Sequence, residues 1–239
     1  MFNIGFDKKT LYIFLGVLLL INILTGGRSL ESIIFALPGV IVAMTFHEFA
    51  HAFAADRLGD DTPRRQGRLN LNPFTHLDPF GTIMLVFAGF GWGKPVEINP
   101  RNFNSKYSLT GAEALVSIAG PIMNFILAFI FIIISYAISI FATTATPAMN
   151  ILGEIIASII IINIGLGVFN LIPVYPLDGS KVLFHFLPTK GRQWIMQNQG
   201  ILTMILFAVV LFTDIVAYIT SWVLLGMLYA VDFIFGLFM

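Results

Sequence analysis

Cysteine is missing from all 239 residues. Disulfides, thiolate metal sites and a cysteine nucleophile are thereby excluded, and any bound metal must rest on imidazole and carboxylate. Charge is also scarce: 11% of residues are charged, against roughly 25% in an average soluble chain. Basic and acidic residues balance at 13 each, so no positive excess exists to recognise nucleic acid, and none is expected as a partner. Hydrophobic residues make up 57% of the chain, with a mean hydropathy of +0.89. Most of the surface is expected to face a lipid bilayer. Helices satisfy their own backbone groups there, so the expected fold class is an all-α, polytopic membrane protein.

A span takes about 20 largely apolar residues. Leu11 to Thr25 follows Lys8 and Lys9, and Ser32 to Ala55 contains Glu48 as its one formal charge. Ala114 to Gly153 and Ile155 to Leu177 carry no charged residue, and Gln193 to Met239 holds only Asp214 and Asp232. Counting that last stretch as a hairpin of two, the chain has about six transmembrane helices. Thr25-Gly26-Gly27-Arg28 is a poor signal-peptidase site, so the first run is read as a retained span. With the N-terminus in the cytosol, Arg28 is the only one of the 13 basic residues left outside, and both termini are expected to be cytosolic. Residues 1–239 read as a single membrane domain, with a core at about 30–190 and a C-terminal helical hairpin at about 193–239. The glycine-rich run Thr82 to Val96 is too short for a span and rich in strand formers. It is expected to be a re-entrant, β-like loop whose edge, around Gly91 and Gly93, could pair with an extended peptide. The loop from Asp56 to Asp78 is expected to be a solvated or headgroup-facing surface.

The most informative residues are His47-Glu48-Phe49-Ala50-His51. On a helix, positions four apart share a face, so both imidazoles can reach one ion while Glu48 sits beside it as a general base. Ionisable groups inside a span are costly and point to function. Catalytic zinc takes three protein ligands and keeps one position open. His76 belongs to the polar loop, His185 to a short cytosolic stretch, and Glu154 to the opposite face of the membrane. Asp178 closes the fourth span on the same side as His47 and His51, which lie roughly 9–15 Å inside that face. Pro173 and Pro176 break the helix before it. Asp178 is therefore the favoured third ligand, although an Asp-Gly turn at a helix end is an alternative.

These residues stand among others in a fixed order. They are His47-Glu48-x-x-His51-Ala52, Gly67-Arg68-Leu69-x-Leu71-Asn72-Pro73-x-x-His76-x-Asp78-Pro79-x-Gly81, Gly91-Trp92-Gly93-Lys94-Pro95-Val96, Ala119-Gly120-Pro121-x-x-Asn124, and Asn170-x-x-Pro173-x-x-Pro176-Leu177-Asp178-Gly179. Over roughly residues 40 to 190 the chain resembles the site-2 proteases, zinc enzymes that cut substrates within or beside the membrane. The resemblance implies one Zn²⁺ per chain on His47, His51 and Asp178, with Glu48 catalytic and the second to fourth spans forming a three-helix core. It implies a transmembrane protein or peptide as substrate, regulated intramembrane proteolysis as the process, and the cell membrane of a prokaryote as the location. Asn170 and Asn124 are candidate amide donors to the substrate or the oxyanion, with Asn170 favoured by the resemblance. The PDZ and paired CBS modules of many relatives have no soluble stretch here to occupy. A silent homologue is disfavoured because all four residues of the set are present. The prenyl-protein endoprotease type would need a downstream glutamate ligand, for which Glu97, Glu113 and Glu154 lack the helical pattern.

Overall fold

The computed structural model describes residues 30–88, 92–141 and 146–236. The expected span at 11–25 and Gly91 lie outside them. Among the described residues, five helices are long and apolar enough to cross a membrane: α1 (Leu30–Arg57), α5 (Leu109–Phe141), α6 (Pro147–Asn170), α8 (Thr189–Phe212) and α9 (Ile215–Gly236). The all-α polytopic expectation holds. Short helices α2 (Thr62–Arg65), α3 (Pro73–His76) and α4 (Pro79–Ala88) lie between α1 and α5, and α7 (Asp178–Phe186) follows α6.

The core is the packing of α1, α5 and α6. Ala55 and Leu58 meet Ala112 and Val116, so the Arg57 end of α1 lies at the start of α5. Gly167 packs on the Phe125 ring, and Ala128, Ile132, Ile156, Ile160 and Ile164 form one buried cluster, so α6 runs antiparallel to α5. Both ends of the segment that carries Asp178 therefore return to the Arg57 end.

Three expectations need correction. The fourth span stops at Asn170, residues 171–177 are irregular, and Asp178 begins α7 rather than closing the span. Pro173 and Pro176 account for the break, since neither supplies a backbone donor. The run expected to be β-like is helical over 79–88 and extended from Trp92. Asp78 starts that helix, its carboxylate accepting from Gly81 N–H at 2.8 Å with Pro79 at the first position, and this cap overrides the strand-forming composition. Among the described residues the only β pairing is an isolated antiparallel bridge between Leu77 and Gly93. Thirdly, α8 and α9 do not form a hairpin with both ends on one side. Thr203 Oγ1, in the middle of α8, still donates to Tyr175 C=O at 2.6 Å. Thr220 then stands opposite Gly165, and the Phe235 ring packs tilted against Tyr136 at 4.5 Å between centroids. Helix α9 thus runs antiparallel to α6 and ends away from Arg57, against the expectation that the C-terminus shares the Arg57 side. The first half of α8 carries Lys190, Arg192, Gln193, Gln197, Asn198 and Gln199, which suits an aqueous boundary better than lipid.

Candidate metal and catalytic site

Histidines 47 and 51 lie one helical turn apart on the face of α1 that meets α5 and α7, and both are buried. Each ring is oriented through Nδ1. His47 Nδ1–H donates to Asn124 Oδ1 at 2.6 Å, and His51 Nδ1–H donates to Val116 C=O at 2.8 Å. These bonds fix the tautomer and leave both Nε2 lone pairs pointing inward. The two Nε2 atoms are 3.1 Å apart, and Asp178 Oδ2 lies 3.1 Å from that of His47 and 3.2 Å from that of His51. Ligand atoms about 2.0–2.1 Å from a tetrahedral zinc stand roughly 3.3 Å from one another. The three atoms found here come close to that spacing and are the one cluster among the described residues able to hold a metal ion.

Gly120 of α5 forms the floor of this cradle. A Cβ added there would stand 2.6 Å from His51 Nε2 and 2.7 Å from His47 Cε1, so only glycine lets α5 come this close to both imidazoles. Gly120→Ala is expected to weaken zinc binding at least about tenfold, as loss of outer-shell support does elsewhere. Zinc retained against graded chelator, by elemental analysis of folded protein, checks this; wild-type retention would mean that the rings tolerate displacement.

The cluster opens on a cavity of about 340 Å³ lined by residues of α1, α6 and α7 and by the extended segment, including Glu48, Trp92, Gly93, Asn170 and Lys181. Glu48 faces it from α1, and Val96 N–H donates to Glu48 Oε2 at 3.2 Å. A Cβ at Gly93 would lie 2.8 Å from Glu48 Oε1, so glycine allows the extended backbone to lie against this carboxylate. Of the predicted residues, His47, Glu48, His51, Asp178, Asn170 and Gly93 converge. Asn170 donates one N–H to Leu166 C=O at 3.1 Å. Asn124 does not reach the cavity. It is fully buried, and its amide donates to Ala43 C=O at 3.0 Å and Asn163 Oδ1 at 2.9 Å while its oxygen holds His47. With its donors spent, Asn124 is a support for His47 and not an oxyanion donor. His185 lies apart, 3.4 Å from Thr110 Oγ1.

The loop before the extended segment differs from the expected solvated surface. Arg64 and Arg65 are exposed and pair with Asp56 and Asp61, but Asp60, Arg68 and His76 are buried. Burial opposes ionisation of Asp60, yet hydrogen bonds from Thr62, Asn99 and Asn102 hold its carboxyl below the usual carboxylate range. Burial likewise holds the His76 imidazole below its ordinary value, and its Nε2–H donates to Asn70 C=O at 2.7 Å. Gly120, Val96 N–H and Lys181 carried no role in the sequence reading. For Lys181 a signal existed: it stands three residues after Asp178, on the same helical face.

The chain matches the model of peptidase family M50 over residues 135–213, a stretch that contains Asp178. It is 42% identical over 185 residues to YwhC of Bacillus subtilis, named as a putative zinc metalloprotease, covering 75% of this chain and 81% of that one. Rip2 of Mycobacterium tuberculosis, named likewise, is 29% identical over 177 residues, covering 72% of this chain and 65% of Rip2. The zinc metalloprotease MJ0392 of Methanocaldococcus jannaschii is 34% identical over 79 residues, covering 33% and 21%. No solved structure gives a match. With its apolar helices, its metal-binding cluster and this kinship, the chain belongs to peptidase family M50 and is a membrane zinc metalloprotease of the site-2 type.

Proposed function

We propose that this chain hydrolyses peptide bonds of membrane-spanning substrates within or near the bilayer, as a step of regulated intramembrane proteolysis, in the cell membrane of a prokaryote. Zinc is held by His47, His51 and Asp178, and the whole chain acts as one membrane-embedded unit. The observation that carries this reading is the convergence of three ligand atoms with Glu48 on one cavity inside the helical core. Zinc supplies Lewis acidity toward water and the scissile carbonyl. Glu48, with Oε2 restrained by Val96 N–H, takes a proton from the attacking water and delivers it to the leaving nitrogen. Asn170 keeps an amide donor for the oxyanion or the substrate backbone. The segment from Trp92 to Val96 offers a backbone edge to which an unwound substrate can pair. Cleavage of single-span peptides by the purified protein in vesicles tests the reading; intact peptides in the presence of bound zinc would refute it.

Water reaches the site from the Arg57 side, whereas a substrate helix comes from lipid. A second cavity of about 560 Å³, largely apolar, lies between α1, α6 and the start of α9, and shares Leu166 and Phe169 with the first. It supports a lateral route in which α9, rather than a hairpin, borders the opening. Ala36 of α1 and Ala217 of α9 both line this cavity, and the absence of native cysteine makes a crosslinking test clean. Cysteines at both positions, bridged by a cleavable bismaleimide, are expected to cut turnover at least about tenfold with zinc retained, and cleaving the bridge should restore it. Full activity in the bridged protein would remove α9 from the route.

A further inference from the structure

Arg68 is the only lysine or arginine among the described residues to be buried, at 6% exposure. No carboxylate lies within ion-pairing distance of it among those residues. Its Nε is buried and has no partner among the described residues. The guanidinium spends its remaining reach on two backbone carbonyls, Nη1 donating to Thr75 and Nη2 to Lys94. Burying a cation for two neutral acceptors is a costly choice for a loop that could have kept it in water.

What the fork holds explains the cost. The Lys94 peptide is gripped from both sides, because its N–H donates to His76 C=O at 2.7 Å while its C=O accepts from Arg68. On one side of it Gly93 bridges to Leu77 and lies against Glu48. On the other side Val96 N–H reaches Glu48 Oε2. The guanidinium is the one side chain that joins residues 75 and 94, and it adds to these backbone ties in holding 92–96 against Glu48.

We propose that Arg68 is a positioning residue of the protease: its fork fixes the extended segment 92–96 against Glu48 and keeps that segment's edge in register for the extended backbone of a substrate. The inference rests on the proteolytic reading above and adds to it the element that sets substrate register. Lysine cannot replace this group, since an ammonium is a point donor without the spacing to span two carbonyls.

The test compares wild type, Arg68→Lys and Arg68→Ala, each full-length and zinc-loaded in vesicles. The probes are fluorescent single-span peptides of about 20 apolar residues interrupted by a Gly-Pro pair. Both variants are expected to lose about 30-fold or more in kcat/KM, in line with the cost of small misplacements at an active site. Zinc content should stay at wild-type level. Amide exchange should quicken across 92–96 while α1, α5 and α6 keep their protection. In a Glu48→Gln background, Arg68→Lys should also weaken binding of the uncleaved peptide about tenfold, an effect that does not depend on turnover. If Arg68→Lys restores wild-type cleavage, charge and not the fork is what matters, and the inference fails. Unchanged exchange at 92–96, or loss of zinc in Arg68→Lys, overturns it equally. Should Arg68→Ala not fold, Arg68→Lys alone decides. A wild type that cleaves none of the peptides would sink the proteolytic reading itself, whereas wild-type cleavage matched by unimpaired variants sinks only the role of Arg68.

Discussion

Glu48→Gln is expected to lower peptide hydrolysis at least about 100-fold, the low end of what a positioned base contributes, while zinc content stays at the wild-type level. The side chain keeps its length, so contact with Val96 N–H and the packing against Gly93 survive. What disappears is the capacity to take a proton from water and pass it to the leaving nitrogen. Glu48 is not one of the three clustered ligand atoms, so the metal has no reason to leave. Hydrolysis on vesicle-embedded peptides, with zinc measured on the same sample, separates the two effects. Residual turnover near that of wild type would remove Glu48 from the chemistry, and parallel loss of zinc would make it a ligand.

His47→Ala, His51→Ala and Asp178→Ala are each expected to weaken zinc binding by more than the roughly 10–100-fold that loss of an outer-shell partner costs, and to abolish activity. Each removes one of three atoms that stand 3.1–3.2 Å apart, and two ligands leave zinc too open to be retained. Asp178→Asn is the sharper variant, because it keeps the shape at the start of α7 and removes only the charge. Glu154→Ala and His185→Ala serve as controls, since Glu154 is exposed on α6 and His185 touches Thr110. Full zinc and activity in Asp178→Ala would place the third ligand elsewhere.

Much of this site was legible in the sequence because helix geometry is local. The spacing of His47 and His51 fixes their common face without any knowledge of the fold. Asp178 could be ranked above Glu154 from charge topology alone, since it requires only the correct side of the membrane. The support for those residues was not legible. Asn124 reads from sequence as a candidate amide donor to the substrate or the oxyanion, and only the approach of α1 to α5 shows its oxygen on His47. The β-like reading of 82–88 weighed composition over the Asp78-Pro79 start signal, which was present and stronger. Arg68 reads from sequence as part of a solvated or headgroup-facing loop, because nothing local to Gly67-Arg68-Leu69 reveals that Thr75 and Lys94 present their carbonyls to it. The hairpin reading of 193–239 counted apolar length, whereas the direction of α9 is set by its packing on α5 and α6.

The wide separation of the donors along the chain bears on the order of biosynthesis. His47 and Asp178 are 131 residues apart, and chains emerge and fold from the N-terminus onward. When α1 enters the membrane it brings both imidazoles and Glu48 but no third ligand. The site stays chemically silent while α5 and α6 are threaded beside it. On the proposed ligand set, hydrolytic competence arrives only when α7 docks at the Arg57 end. Until that docking, the growing chain holds only two of the three donors, and α8 and α9 are the only spans that follow the arrival of the third.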